Sequence, residues 1–531
     1  MHRRSFLRTG LAGALMWAPA VRCLAAAQAA TALDRKQALD AMKRATAFMV
    51  EKVSTNGGYV WTYLPDLSRR WGEMEARDTM IWTQSPGSTS MGHLFLDAYH
   101  ATGDDYYYQA AERVAGALIW GQLPSGGWNY IIDFAGERSL REWYDTVGRN
   151  GWRLEEFQHY YGNGTYDDSV TQEAGKFLLR LYLEKRDPKF KPALDKTIQF
   201  VLDSQYPIGG WPQRFPLKYD VSDRGNRDYT SYLTFNDDVA VENVDFLLMC
   251  YQALGDGRLL DPVIRGMNAF LVTQQGPPQA GWGLQHTLDL KPAGARTYEP
   301  KALVTHTTGR NIEQLVKFYR LTGETKFIAR VPEALDWLDS VKLPPDLATA
   351  ARTHPTYVEI GTNAPLYVHR RGSNVVNGEY YVDHDPHKTL AHYSAFRRVD
   401  TAGLRRLYAQ VRAMPLTEAT AGSPLLPGSG VVALPRLFAP APRALAAGES
   451  IATRAAAAIA ALNATGYWPT KLGTTSHPYR AGAGAPTQGD FSETQVGDQF
   501  DTSPFNDDTL VGISTTGYIE NMSQLIRYLD E

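Results

Sequence analysis

The chain has 531 residues, 44% hydrophobic and 21% charged, with a formal net charge of −3. That composition excludes an intrinsically disordered chain and offers no bulk basic field for nucleic acid. Two cysteines, Cys23 and Cys250, exclude a disulfide scaffold and a cysteine metal cluster.

Residues 1–30 combine a basic start, an apolar stretch and small residues around Ala27-Gln28-Ala29. The run Arg3-Arg4-Ser5-Phe6-Leu7-Arg8 reads as a twin-arginine export signal. A leader of this kind places the mature chain in a bacterial periplasm or outside the cell. Its removal takes away Arg3, Arg4, Arg8, Arg22 and Cys23, and shifts the formal charge from −3 to about −7. An anionic substrate would then depend on local basic residues. No later apolar run approaches the roughly 20 residues needed to span a bilayer, so no membrane contact is expected after signal removal. Residues 31–531 read as one domain.

The next element is a helix over about 36–53. Five segments beyond it share one apolar phase, at i, i+3, i+4 and i+7. They are Met91, Leu94, Phe95, Ala98; Ala174, Phe177, Leu178, Leu181; Val244, Leu247, Leu248, Tyr251; Ile312, Leu315, Val316, Tyr319; and Met522, Leu525, Ile526, Leu529. After each of the first four comes a short break, "ATGDDYY", "EKRDPKF", "LGDGRLL" or "LTGETKF", and then a second helix. Gly, Asp and Pro in these breaks supply turn chemistry between antiparallel helices. Three hairpins close alike, at Trp128, Trp211 and Trp282. The stretches "VSTNGGYVW" and "NATGYWPT" look like the ends of further second helices.

The helix at 36–53 is of the second type, and the last one, about 515–529, is of the first. Together they make one more hairpin, which sews a ring shut. The fold expected is therefore all-α dominated, an α/α toroid of about six helical hairpins with a central cleft. Residues 356–385 interrupt the pattern. They are rich in β-branched and aromatic residues, with a turn at Asn377-Gly378, and predict a small β-rich insertion. The 29 Tyr and 12 Trp suit sugar stacking and large helical cores equally.

Seven and six residues before Ala174 lie Asp167 and Asp168; the same count before Val244 gives Asp237 and Asp238. The matching positions are Gln84 and Ser85, Thr305 and His306, and Thr515 and Thr516. All should gather at one mouth of the ring. A single Asp there would be an N-cap, worth about 1 kcal/mol. Two neighbouring repeats with two carboxylates each suggest more: a Ca²⁺ ion held by oxygen ligands, or an acid and base pair as in glycoside hydrolases. The tetrapeptide Phe235-Asn236-Asp237-Asp238 recurs as Phe505-Asn506-Asp507-Asp508. Asp507 lies fifteen residues before Met522, out of register, and reads as a loop residue.

The stretches "YDDSVTQEAGKFLLRLY", "SQYPIGGWPQRFPL", "YLTFNDDVAVENVDFLL", "GWGLQHTLDLKPAGARTYE" and "YVEIGTNAPLYVHRRG" occur in this order over about 167–372. They resemble the pectate lyases of polysaccharide lyase family 10. The resemblance implies an α/α toroid that cleaves polygalacturonate by Ca²⁺-assisted anti β-elimination. It puts Asp237 and Asp167 at acidic calcium and substrate positions, beside which Asp238 is expected as a further calcium ligand, and Arg296 at the residue credited with proton abstraction. Arg370 falls at an arginine that binds substrate carboxylate, and Asp167, Lys301, His306 and Trp211 complete the expected substrate-binding set. Lys301 and His306 are also nearby alternatives for the base.

This sequence departs from the family pattern at Thr356 and Ala364, where arginines are usual, and at Arg214, where an aromatic is usual. Arg214, Arg224 and Arg227 could replace the lost charge. The implied partner is an acidic polysaccharide, and a monomer is expected. Two rival functions stay open: a toroid glycoside hydrolase using Asp167 and Asp237, and a non-catalytic glycan-binding toroid.

Overall fold

The computed structural model describes residues 34–148, 155–218, 228–371, 379–387, 389, 394–426, 449–472 and 511–531. The leader, the second Phe-Asn-Asp-Asp copy, Arg224, Arg227 and the Asn377-Gly378 turn lie outside the described residues.

The turns between helices repeat one solution. Inner helices α2 (Ser88–Thr102), α4 (Val170–Lys185), α6 (Val239–Leu254) and α8 (Thr305–Thr322) each end on a left-handed residue. These are Gly103, Arg186, Gly255 and Gly323, and each donates its N–H to the carbonyl four residues back. Arg186 does so as a non-glycine, at a cost of roughly 1–2 kcal/mol. The chain then turns into the outer helices α3 (Asp105–Trp120), α5 (Lys191–Ser204), α7 (Leu260–Thr273) and α9 (Val331–Ser340). Asp104, Asp187 and Asp256 cap three of these starts by accepting a backbone N–H two residues on.

The outer helices end on a tryptophan lock. Trp128, Trp211 and Trp282 donate their indole N–H to the carbonyls of Leu118, Val201 and Phe270, at 2.7, 2.9 and 3.0 Å. Trp468 does the same to Ala458, at 2.7 Å, after α11 (Ile451–Ala461). All four indoles are buried.

The same turns also tie each outer helix to the next. The Gln122, Gln205 and Gln274 amides donate to the carbonyls of Ala193, Pro262 and Arg330, at 2.9, 2.9 and 3.2 Å. At Gly209, with φ of +104°, an added Cβ would sit 1.9 Å from the Arg265 carbonyl oxygen, so only glycine fits. The turn after α1 (Arg35–Phe48) meets α3 in the same way, and the turn after α11 meets α1. The outer order is therefore α11, α1, α3, α5, α7, α9.

The inner layer follows the same order. Ion pairs join α2 to α4 (Asp97 with Arg180), α4 to α6 (Lys176 with Glu242) and α6 to α8 (Asp245 with Lys317). α8 packs on α10 (Thr401–Ala413), and α12 (Thr515–Asp530) packs on α2. The seam closes where α1 meets α12. Thr46 and Tyr518 share a 2.7 Å hydrogen bond, and Arg35 donates to the Leu529 carbonyl at 2.9 Å. The helical stretch continues from α1 through one wider turn, Met49–Val53. No helix among the described residues is long and apolar enough to cross a membrane.

The predicted β insertion forms a four-stranded sheet, in the order Leu303–Val304, Tyr357–Val358, Pro365–Arg371, Glu379–Asp383. Short strands also precede the other inner helices. The pairs are Met80–Trp82 with Ile131–Asp133, Gly164–Thr165 with Arg214–Phe215, Leu233–Thr234 with Gln285–His286, and Val511–Ser514 with Thr62–Tyr63. Each partner strand follows the outer helix of its own repeat. A collar of antiparallel pairs therefore rings the mouth, which periodicity over two to four residues could not reveal.

Candidate active site

Inner helices α4 and α6 begin with one shared backbone figure. Asp167–Ser169 and Asn236–Asp238 are short 3₁₀ turns. In the first, Asp168 and Ser169 have φ of 49° and 59°; in the second, Asp237 and Asp238 have 48° and 60°. Two successive non-glycine residues in the left-handed region are costly, and short Asp and Ser side chains tolerate them better than bulky ones. The match fixes the register between repeats. Asp168 is equivalent to Asp237, Asp167 to Asn236 and Ser169 to Asp238, one residue away from the alignment read from the apolar stripes. The stripes erred because a broad apolar face accepts a one-residue rotation. Ends do not, and Arg186 and Gly255 keep the same spacing.

Asp167, in the turn that opens α4, is fully buried. Its Oδ2 accepts from the Arg296 Nη2 at 2.5 Å and from the Tyr130 hydroxyl, and its Oδ1 accepts from the Gln213 amide at 2.8 Å. Asp237 hydrogen-bonds to Asp167 across the two repeats. Burial, then the charges of Asp167 and Asp168, hold the Asp237 carboxyl well above the usual range. Asp237 is therefore the proton donor to Asp167. Burial opposes ionisation of Asp167 as well, but Arg296 and the donors Tyr130, Asp237 and Gln213 outweigh it and hold its carboxyl low.

Asp168 accepts from the Gln84 amide at 2.6 Å, and that amide also reaches Glu73 at 3.1 Å. Burial, Asp167 and Glu156 push Asp168 up to about 7. Glu73 is raised by burial first and by its acidic neighbours next, and Glu156 is raised by burial first, against Arg296, with Asp167 adding to it. Six carboxylates, those of Asp167, Asp168, Asp237, Glu73, Glu156 and Glu299, thus gather near one described guanidinium. Arg296 Nη1 donates to Glu299 at 2.9 Å, and its Nε lies 3.3 Å from Glu156. Asn236, the structural counterpart of Asp167, donates to Glu299 at 3.2 Å. Asp167, Glu156, Glu299 and Arg296 are buried, while Asp168, Asp237 and Glu73 are partly open.

The remaining expected residues are placed as follows. Asp238 turns from the cluster to pair with Arg310 of α8 at 2.8 Å. Trp211 is wholly buried and serves as the lock of its hairpin, with no face for a sugar. Lys301 is exposed two residues before the collar strand Leu303–Val304, and His306 is half-buried in the first turn of α8. Arg370 lies on strand Pro365–Arg371, across from Tyr380. Thr305 and Thr515, the counterparts of Asp168 in other repeats, donate to the carbonyls of Pro355 and Trp61 and so hold the collar. Arg214 is buried with its guanidinium 4.2 Å from the Tyr161 ring and 5.4 Å from the Tyr130 ring.

Sequence reading missed Glu73, Glu155, Glu156, Tyr130, Gln213 and Glu299. For Tyr130 and Gln213 a signal existed, because each stands two residues after its tryptophan lock.

Glu155 lies beside this cluster, and burial pushes it up to about 8, against the Thr297 N–H and Arg296. A carboxyl raised in the folded state contributes stability that is complete below its unfolded value of about 4.3. That contribution is lost as pH rises towards 8. Thermal denaturation between pH 5 and pH 8 should show the wild-type Tm falling more steeply than that of Glu155→Gln. Parallel curves would contradict this.

Oxygen donors carrying an excess of negative charge suit a hard divalent cation such as calcium. Among the described residues, however, no three His, Cys, Asp or Glu side chains already stand grouped as ligands.

Residues 137–381 match the family model of pectic acid lyases. Among curated proteins, none matches the chain. Among solved structures, the family 10 polysaccharide lyase from Cellvibrio cellulosa is 18% identical, with 61% of this chain and 89% of that one covered and a TM-score of 0.37. A point mutant of that lyase in complex with trigalacturonic acid is also 18% identical, covering 62% and 92%, at 0.36. The GH76A α-1,6-mannanase of a Salegentibacter species is 12% identical, covering 93% and 99%, at 0.36. With TM-scores below 0.5, these likenesses add nothing to what the helices and their contacts establish.

Proposed function

We propose that this polysaccharide lyase, whose residues 137–381 match the family model of pectic acid lyases, cleaves polygalacturonate outside the cytoplasm by calcium-assisted anti β-elimination. The observation that carries this reading is the meeting of Asp167, Asp168 and Asp237, from adjacent repeats, around the guanidinium of Arg296.

In the elimination a base takes the C5 proton of a uronate. The C5–H electron pair becomes the C4–C5 double bond, and the C4–O4 bond breaks. The leaving oxygen picks up a proton, and a 4,5-unsaturated uronate remains. The C5 proton is weakly acidic unless the neighbouring carboxylate is neutralised. Asp167, Asp168 and Asp237 would hold calcium, whose charge when bound would neutralise that carboxylate; Asp238 is engaged by Arg310. Resemblance makes Arg296 the base. Its described neighbours are anionic and favour the guanidinium cation, which suits gripping a uronate carboxylate as well.

The Asp167–Asp237 hydrogen bond suggests a hydrolytic acid and base pair as the rival. Hydrolases, however, keep their two carboxyls about 5 to 9.5 Å apart to admit a sugar or water, and these two touch.

The mature protein on polygalacturonate, with calcium or with chelator, should give ultraviolet absorbance from the new conjugated double bond, and only with calcium. New reducing ends without that absorbance would replace lyase by hydrolase. Absorbance that persists in chelator would remove calcium.

A further inference from the structure

We infer that Glu155 and Glu156 form a clasp that sets the position of the Arg296 loop, making them positioning residues for the reaction. Both belong to a single helical turn, Glu155–Gln158, and both are buried, at 5% and 7% exposure. The turn is nailed into the core by Phe157, which is fully buried with its ring 5.6 Å from that of Trp82, 6.1 Å from Trp143 and 5.0 Å from Tyr130.

From this anchored base two successive carboxylates reach two successive residues 140 or so positions along the chain. Glu155 accepts from the Thr297 N–H, 3.1 Å from each carboxylate oxygen, and from the Thr297 hydroxyl. Glu156 faces the Nε of Arg296 at 3.3 Å. The other side of the guanidinium is taken by Asp167 and Glu299. Burying a carboxylate is expensive unless it is paired, and the donors that meet Glu155 are the N–H and hydroxyl of Thr297. What it holds is the backbone of the loop. Tyr130 touches Phe157 and donates to Asp167, so one aromatic anchor fixes both partners of the Asp167–Arg296 pair.

The kinetic arm of the test rests on the lyase reading; the exchange arm does not. Hydrogen exchange at the Thr297 amide is measured on the full mature chain, alongside kcat and KM on polygalacturonate, for Glu155→Ala, Glu155→Gln and Thr297→Val. In Glu155→Ala, exchange at Thr297 should quicken about tenfold or more with global protection retained. Its kcat should fall about 10–100-fold with KM within about threefold, the size seen when a supporting contact of a site is removed. Glu155→Gln keeps an acceptor and should restore most of both. Thr297→Val removes only the hydroxyl and should lie between. Unchanged exchange in Glu155→Ala, or faster exchange with kcat intact, overturns the clasp, and so does a Gln variant as impaired as Ala. If the wild-type chain cleaves no uronan, the lyase reading fails, and exchange at Thr297 still decides whether the loop is held. If Glu155→Ala does not fold, Thr297→Val carries both arms.

Discussion

Arg296→Ala is expected to lower kcat/KM on polygalacturonate by about 10³-fold or more, the scale of losing a main electrostatic group. The change also strands Asp167, Glu156 and Glu299, which now share its charge. Removing one partner from a buried ion pair costs about 3–5 kcal/mol, so a fall in Tm should accompany the loss. The two effects separate with Arg296→Lys. Lysine keeps the charge and most of the fold, but gives up the fork that reaches several carboxylates at once. If residue 296 acts as the base, the lysine variant should regain rate with rising pH, because an ammonium gives up its proton more readily than a guanidinium. If it acts only as a cation, the lysine variant should be weak at all pH values, with raised KM. An alanine variant that is folded and fully active would remove Arg296 from the reaction.

Asp237→Asn should move stability and activity in opposite directions. Asp237 is crowded by Asp167 and Asp168, and it is the member of the Asp167 pair that carries the proton. An asparagine amide can donate to Asp167 in the same place without adding a charge. In the absence of calcium the variant should melt several degrees higher than wild type near neutral pH, about 1–2 kcal/mol, because folding of the wild type must put a proton on Asp237 and asparagine needs none. Its lyase rate should fall about 10²-fold or more. Calcium should raise the Tm of the wild type and do so far less in the variant, since only a folded-state site stabilises by mass action. Equal calcium shifts in both proteins would take Asp237 out of the metal site. An unchanged rate would take it out of catalysis.

These two residues also show how far sequence reaches. The helical hairpins were legible because an amphipathic stripe and its Gly and Asp turns are local signals. Trp128, Trp211 and Trp282 were legible as a repeat, but not as locks, since the bond to a carbonyl ten or twelve residues back has no signature in spacing alone. Asp167 and Arg296 are 129 residues apart, and only resemblance placed them together. The true register between Asp168 and Asp237 depended on left-handed backbone at four non-glycine residues, which no stripe records. Glu155 and Glu156 sit outside the repeat, so counting from helix to helix passes over them. Trp211 looked available for sugar because aromatic content does not tell a core from a platform.

The seam between α1 and α12 has a consequence for how this protein comes into being. Its contacts join residues 472 and 494 positions apart. Distance of that kind adds little to the equilibrium cost, about 0.6 kcal/mol for each doubling of a loop, but it weighs heavily on the rate. On the ribosome, α1 emerges several hundred residues before α12, and its buried face of Ala38, Ala41, Met42 and Ala45 has no α12 to cover it in the meantime. The seam therefore cannot close until α12 has been made. Until its last helix arrives the nascent chain is an open arc with a bare edge at each end, and that waiting period is where holding factors and aggregation would compete for it.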